Sequence, residues 1–188
     1  MANKDAAFGL KPIGKIGQNA DNNGLSEYDI AASATAIYFQ DPVEILATGT
    51  IGVAAAGDTT ILGSLTGVFF TDATTSKPTF ANHLNASNTA TDIVGFVSDD
   101  PYQRFEIQAD GATAAADVGL NADFVYAAGS SPDFVSKVEL QTSDQKTGTA
   151  QLRIIGISKD PENNTAGSAN VNLVVIINEH QLKGTTGI

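Results

Sequence analysis

The chain has 188 residues, a formal net charge of −11 and no cysteine. Its length suits one domain of ordinary size, and the lack of cysteine excludes disulfide bonds, thiolate metal sites and cysteine nucleophiles. Charged residues make up only 16 % of the chain, so small polar residues must form most of the surface.

The charge is unevenly distributed along the chain. Residues 1–20 carry three lysines against one aspartate, a net charge of +2, whereas residues 21–133 carry two cations against fifteen acids, a net charge of −13. A body without a basic stripe repels phosphate, so we expect neither nucleic acid nor a membrane as a partner. The first residues lack the apolar run of a signal peptide, and we expect synthesis in a cytoplasm.

Residues 1–24 predict an extended N-terminal arm. Gly9, Gly14 and Gly17 are too frequent for a stable helix, and the apolar side chains between them are too many for a simple linker. The turn sequence Asp21-Asn22-Asn23-Gly24 ends this arm, and we expect a β-rich body over residues 25–188. The residues alone leave open whether the arm packs on its own body or on a neighbouring molecule.

Short runs of β-branched and aromatic residues predict strands in the first half of the body. Residues 47–60, rich in Ala, Gly and Thr, are interpreted as a connection. Gly63 and Gly67 interrupt the longest run, which indicates bulges or a barrel corner. The predicted strands are residues 25–31, 35–39, 41–46 and 61–71, with a short one at residues 77–80.

The sequence Asp99-Asp100-Pro101 predicts a turn, because proline fixes φ and aspartate caps such bends. We expect residues 93–98 and 103–109 to pair across this turn. The two adjacent carboxylates also suit a calcium ion, but acids beside a proline are more often turn residues, and we favour that interpretation.

The residues after this turn alternate between apolar and polar. Phe105 and Ile107 point one way, which predicts a strand with one face buried. Arg104, Glu106 and Gln108 point the other way, and we expect that face to be wet. Arg104 and Glu106 lie two residues apart on it, which suits an ion pair or a subunit contact.

The C-terminal third holds the clearest pair of strands. Residues 149–158 and 171–179 flank a polar loop and predict an antiparallel pair. The second of them is apolar on both faces, so we expect it to be central in its sheet and covered on each side. Upstream, we predict a helical turn within residues 110–123 and weaker strands at residues 124–127 and 134–140.

About nine or ten short strands without a long amphipathic helix predict an all-β fold, a single-domain β-sandwich or small β-barrel with an extended N-terminal arm. His83 and His180 are the only histidines, and we expect both at the surface. Neither has a second histidine or a cysteine nearby in the sequence, so a zinc site or a Ser-His-Asp triad has no support. We therefore expect no enzymatic activity, no metal and no cofactor.

Five stretches of the chain resemble structural proteins of tailed bacteriophages, especially phages of marine and cyanobacterial hosts. The most specific is the run Pro101-Tyr102-Gln103-Arg104-Phe105-Glu106-Ile107-Gln108-Ala109-Asp110. The likeness extends over nearly the whole chain. The other stretches are Ala7-Phe8-Gly9-Leu10-Lys11-Pro12, Gln40-Asp41-Pro42-Val43, Gln151-Leu152-Arg153-Ile154-Ile155-Gly156 and Val175-Ile176-Ile177-Asn178-Glu179-His180-Gln181.

The resemblance implies a capsid decoration (cement) protein of the virion. Such a protein sits on the outside of the phage head and bridges neighbouring major capsid proteins, often as a homotrimer. We interpret the arm as the segment that contacts the coat, with apolar residues as anchors and lysines meeting acidic coat surface. The residues expected to make these contacts are Lys4, Phe8, Leu10, Lys11, Ile13, Lys15 and Ile16.

A receptor- or glycan-binding module of a phage tail or fibre is the alternative on the same kind of β scaffold. Glycan sites favour exposed aromatic side chains beside carboxylates, and the chain has four tyrosines and no tryptophan. Copy number separates the two functions, because a shell component is present in hundreds per particle and a tail component in far fewer.

Overall fold

The computed structural model describes residues 2–17, 24–57 and 60–184. The predicted all-β class is confirmed, since this part of the chain forms three sheets and no α-helix, an arrangement consistent with a β-sandwich. No helix within it is long and apolar enough to cross a membrane. The strands are β1 (Lys11–Lys15), β2 (Ser26–Asp29), β3 (Pro42–Ile45), β4 (Ile51–Val53), β5 (Gly63–Thr71), β6 (Pro78–Ala81), β7 (Val94–Ser98), β8 (Gln103–Gln108), β9 (Asn121–Ala122), β10 (Phe124–Val125), β11 (Glu139–Leu140), β12 (Leu152–Ile157) and β13 (Asn172–Ile177).

The first sheet has five antiparallel strands in the order β1-β8-β13-β12-β9. Strands β12 and β13 pair directly, as predicted for the C-terminal third, and β13 lies centrally between β12 and β8. Its inward-facing residues, such as Leu173 and Val175, are fully buried, whereas Val174 and Ile176 on the other face are only half-buried. The expectation that β13 is covered on both sides therefore fails on its outer face.

The second sheet has the order β2-β7-β5-β3-β4, and β6 pairs with the far end of β5. A parallel bridge between Ile30, just after β2, and Ile51 of β4 joins the two ends of this order. The predicted irregularity in the longest strand is present as a shift of register between Leu65 and Gly67. Strands β10 and β11 form a separate small pair.

Each large sheet covers its own hydrophobic core. The first core takes its largest side chains from β8 and β10 and also receives Leu10, Ala54 and Ile61 from distant parts of the chain. The second core is built around Leu65 and Val97 of the central strands β5 and β7. Loops add Ile37, Leu84 and Ile93, so the second core is closed by loops that connect the strands of its own sheet.

The predicted pairing of residues 93–98 with residues 103–109 is wrong. Strand β7 pairs with β2 and β5 in the second sheet, whereas β8 pairs with β1 and β13 in the first. The two strands serve different cores, since Val97 is buried in the second and Phe105 in the first. The turn at residues 99–101 therefore carries the chain from one sheet to the other.

Three smaller differences concern local elements. The segment interpreted as a connection, residues 47–60, contains β4, because Ile51 supplies a buried side chain despite its glycine-rich surroundings. Residues 35–39 contribute only isolated bridges at Ile37 and Phe39. The helical turn expected within residues 110–123 is present as the 3₁₀ helix Ala115–Asp117.

Candidate interaction surfaces

The N-terminal segment, defined here as residues 2–17, lies on the chain's own body. Leu10 is fully buried in the first core, its amide donates to Gln40 O at 2.9 Å, and its carbonyl accepts from Ser64 Oγ at 2.6 Å. Gly9 has φ +77°, and a Cβ there would collide with Gln40 O and Ser136. The expectation that Leu10 anchors the arm to another molecule is therefore corrected, because its side chain is inside this fold.

Side-chain amides fix the first residues of the N-terminal segment. Gln108, which is fully buried, accepts from the Ala6 amide at 2.8 Å through Oε1 and donates to Lys4 O at 2.9 Å through Nε2. Asn163 accepts from the Lys4 amide at 2.9 Å and donates to Lys4 O at 2.8 Å. The backbone of Lys4 is thus held from two sides, while its side chain remains exposed.

The face of β8 expected to be wet is largely covered. Gln108 is completely buried and Glu106 is 9 % exposed, because the N-terminal segment and the loop after β12 lie over them. Glu106 forms a salt bridge with Lys11 at 3.2 Å and accepts a hydrogen bond from Ser158 Oγ. The expected ion pair between Arg104 and Glu106 is therefore not formed.

Strand β1 is the edge of the first sheet, and the remaining predicted contact residues lie on it or within three residues of its ends. Lys15 forms a salt bridge with Asp100 at 2.9 Å, and Phe8 lies half-buried with Lys11 Nζ 5.9 Å from its ring centroid. Ile13 and Ile16 stay 40 % and 37 % exposed. Residues 11–15 belong to the body's sheet, and the predicted turn at residues 21–24 lies, apart from Gly24, outside the described residues.

The acids of the turn at residues 99–101 have structural partners. Asp100 Oδ1 accepts from the Tyr102 amide at 2.7 Å and so caps the turn. Asp99 Oδ2 accepts from the Tyr28 hydroxyl at 2.6 Å, which ties the turn to β2. The hydrogen bonds and the salt bridge of Asp100 with Lys15 lower the pKa of the Asp100 carboxyl. This geometry is that of turn residues, the interpretation favoured from the sequence.

Asp41 is a buried carboxylate just before β3 of the second sheet, close to Tyr126, which packs against the first core. Its Oδ2 accepts from the Tyr38 amide at 2.8 Å and lies 3.4 Å from the Tyr126 hydroxyl. Burial raises the pKa of Asp41 to about 6, although hydrogen bonds from its neighbours oppose the shift. The Asp-Pro pair gave no sign of this burial, because aspartate before proline usually marks an exposed turn.

His180 follows β13 of the first sheet and is buried beside the residues that lead into β5 of the second sheet. This burial corrects the surface position expected for it. It is 3 % exposed and forms a parallel bridge with Ile61. Burial, reinforced by the charge of Lys183, lowers the pKa of His180 to about 4. Its Nδ1 accepts from the Leu182 amide at 3.1 Å, as a neutral ring allows.

Aromatic side chains form two groups on the second sheet and its loops. His83 is half-buried and stacks on Phe134 with ring centroids 3.9 Å apart. On the outer face of the sheet, Phe80 lies 4.7 Å from Phe69 and 6.4 Å from Phe96, and it is 75 % exposed. Sequence analysis missed this second group, although the alternation along β5 and β7 carries its signal.

Among the described residues, no cluster of three or more His, Cys, Asp or Glu side chains is arranged to hold a metal ion. The surface is distinguished instead by the edge strand β1 and by the outer faces of the two large sheets. Comparison of the chain with known protein families, with curated proteins and with solved structures gives no match.

Proposed function

We propose that this protein is a decoration (cement) protein on the outer surface of a phage head, where it bridges neighbouring major capsid proteins. The observation that carries the proposal is the edge strand β1, which presents the 40 % exposed Ile13 on an otherwise acidic, all-β body. The resemblance of nearly the whole chain to phage structural proteins supports the same function.

The way of attachment differs from that of a loose arm. The backbone of residues 4–10 is held by Gln108, Asn163 and Gln40, so β1 is already in place before a partner arrives. A strand of the coat protein that adds to this edge would gain main-chain hydrogen bonds without the cost of ordering the segment. Ile13 would supply the apolar contact, and the exposed Lys4 and Lys11 would face acidic coat surface.

A binding assay on particles that lack this protein tests the proposal. We expect the wild-type chain to co-sediment with such particles, and we expect the Ile13→Asp variant to bind about tenfold more weakly or worse. Val118→Asp is the matched control, because Val118 is 42 % exposed but lies towards the opposite edge of the first sheet, where the amide of the adjacent Gly119 donates to Ile154 O of β12. Equal binding by Ile13→Asp and Val118→Asp would overturn the role of β1.

Copy number tests the function independently of the binding mode. Quantitative mass spectrometry of intact particles should give hundreds of copies per particle if the chain decorates the shell. A count of a few copies or a few tens would instead assign the chain to the tail, as the receptor- or glycan-binding alternative requires.

A further inference from the structure

The two arginines of the chain lie on one cross-strand row of the first sheet. Arg104 of β8 pairs in register with Ile176 of β13, and Ile176 pairs in turn with Arg153 of β12. None of the three belongs to the first core, and the two arginines lie on either side of Ile176 with their backbone positions about 10 Å apart. With the half-buried Val174 two residues before Ile176, they form a surface that we call the arginine face. Glu106 borders this surface, since it pairs in register with Val174, but it is buried and its charge is met by Lys11.

The chain leaves the arginine face without a charge partner. Neither guanidinium lies within salt-bridge distance of a carboxylate of the described residues, although acids outnumber bases by twenty-one to ten in the chain. Arg153 is exposed and donates from Nε to Asn121 at 2.9 Å, a neutral acceptor. Arg104 is half-buried, and its Nε is buried without a hydrogen-bond partner among the described residues. An apolar strip beside these two cations suits a partner surface that offers carboxylates and aromatic rings.

The outer face of the second sheet offers both. One cross-strand row runs Asp29, Val94, Phe69 and Phe80, and in the adjacent row Glu27 lies opposite Phe96. Three rings thus gather on β7, β5 and β6 of this phenylalanine face, and the exposed acids Glu27 and Asp29 lie on the adjacent edge strand β2. Neither acid has a salt bridge within the described residues.

We propose that the protein associates with itself head to tail, the arginine face of one copy packing on the phenylalanine face of the next. The charges favour this pairing over the symmetric ones, because two arginine faces would oppose cations and two phenylalanine faces would bring no opposite charges together. Head-to-tail contact leaves one face of each kind free at the ends of a pair. Further copies therefore add until the rotation between neighbours closes a ring or continues as a filament.

This inference goes beyond the proposed function and does not depend on it, since it concerns the purified chain alone. Sedimentation equilibrium over micromolar to millimolar concentrations should give a mass above the 19.4 kDa of one chain. The variants Arg153→Glu and Phe80→Asp alter exposed side chains on opposite faces and should each weaken association about tenfold or more. Lys159→Glu is the control, because it reverses a charge at an exposed position outside both faces.

A mixture of the two variants provides the decisive measurement. Arg153→Glu keeps an intact phenylalanine face and Phe80→Asp keeps an intact arginine face, so their equimolar mixture should form a dimer of one chain each and stop there. A monomeric wild type would overturn the proposal and leave both faces to other partners, such as the coat. A mixture that stays monomeric while the wild type associates would equally overturn it, because association would then use other surfaces.

Discussion

The two hydrophobic cores are closed in different ways. The second core is closed by its own strands and loops, and the bridge between Ile30 and Ile51 joins the ends of its sheet. The first core is closed by a segment from the other end of the chain, with Leu10 packed among residues more than forty positions away. The first core therefore depends on long-range contacts that its own strands cannot supply.

The polar groups inside the two sheets show the same contrast. Within the described residues, the strands of the second sheet bury only two polar side chains, those of Ser64 and Ser98. Strand β8 of the first sheet alone buries Gln103, Glu106 and Gln108, each bonded to the N-terminal segment or to the loop after β12. Packing specifies the second core, whereas the first also requires a particular set of hydrogen bonds.

The largest expected effect comes from Leu10→Ala. If the first core needs this side chain, the cavity should lower the free energy of unfolding by about 3–4 kcal/mol, as measured by urea denaturation. Ile13→Ala, three residues along and 40 % exposed, is the control and should cost less than about 1 kcal/mol. Equal and small losses would show that the N-terminal segment does not close the first core.

The second prediction concerns Asp41 and His180, two buried groups whose pKa values burial shifts in opposite directions. Between pH 3.8 and about 6 the folded state holds a proton on Asp41 that the unfolded state releases, so this group makes stability fall as pH rises. Between about pH 4 and 6.5 the unfolded state holds a proton on His180 that the folded state lacks, so stability rises with pH. The two contributions oppose each other in nearly the same window.

Single substitutions should therefore reveal opposite slopes. The free energy of unfolding of the Asp41→Asn variant should rise by roughly 2–3 kcal/mol as pH rises from about 4 to 6.5. That of the His180→Asn variant should fall by a similar amount between about pH 4 and 6. Denaturant unfolding at closely spaced pH values measures both slopes. The Asp41→Asn/His180→Asn double variant is the reference, and slopes indistinguishable from that reference would contradict the prediction.

A smaller effect is expected from Gln108→Leu. The change keeps the size of the side chain but leaves Lys4 O and the Ala6 amide without their Gln108 partner, at a cost of about 2 kcal/mol. Hydrogen exchange should accelerate at the Ala6 amide and remain slow in β5. Gln145→Leu removes a single bond to Thr113 Oγ1 and is the control, with a cost of about 1 kcal/mol or less. Undisturbed exchange at Ala6 would show that the amide network does not hold the N-terminal segment.

Sequence alone was sufficient to predict features that depend on the residues of a single strand. The strands β8, β12 and β13 were predicted, as were the position of β13 in the middle of its sheet and the all-β class. The irregularity near Gly67 also followed from the residue type, because glycine within a strand weakens regular pairing. These are local statements that neighbouring residues settle.

Sequence was insufficient where distant segments meet. Gln108 was assigned to a wet face because nothing near it in the chain announces that Lys4 and Ala6 will cover it. His180 was placed at the surface for the same reason, since its contact with Ile61 spans more than a hundred residues. The acids and rings of the phenylalanine face were likewise hidden, because four strands from separate parts of the chain bring them together.

The amide network around Lys4 has a consequence for biosynthesis. Asn163, which binds the Lys4 backbone in both directions, leaves the ribosome about 160 residues after it. A segment translated early must therefore wait, with Leu10 unburied, until nearly the whole body exists. Contacts of such long sequence separation slow folding, so the N-terminal segment, although translated first, is among the last parts of the chain to reach its folded position.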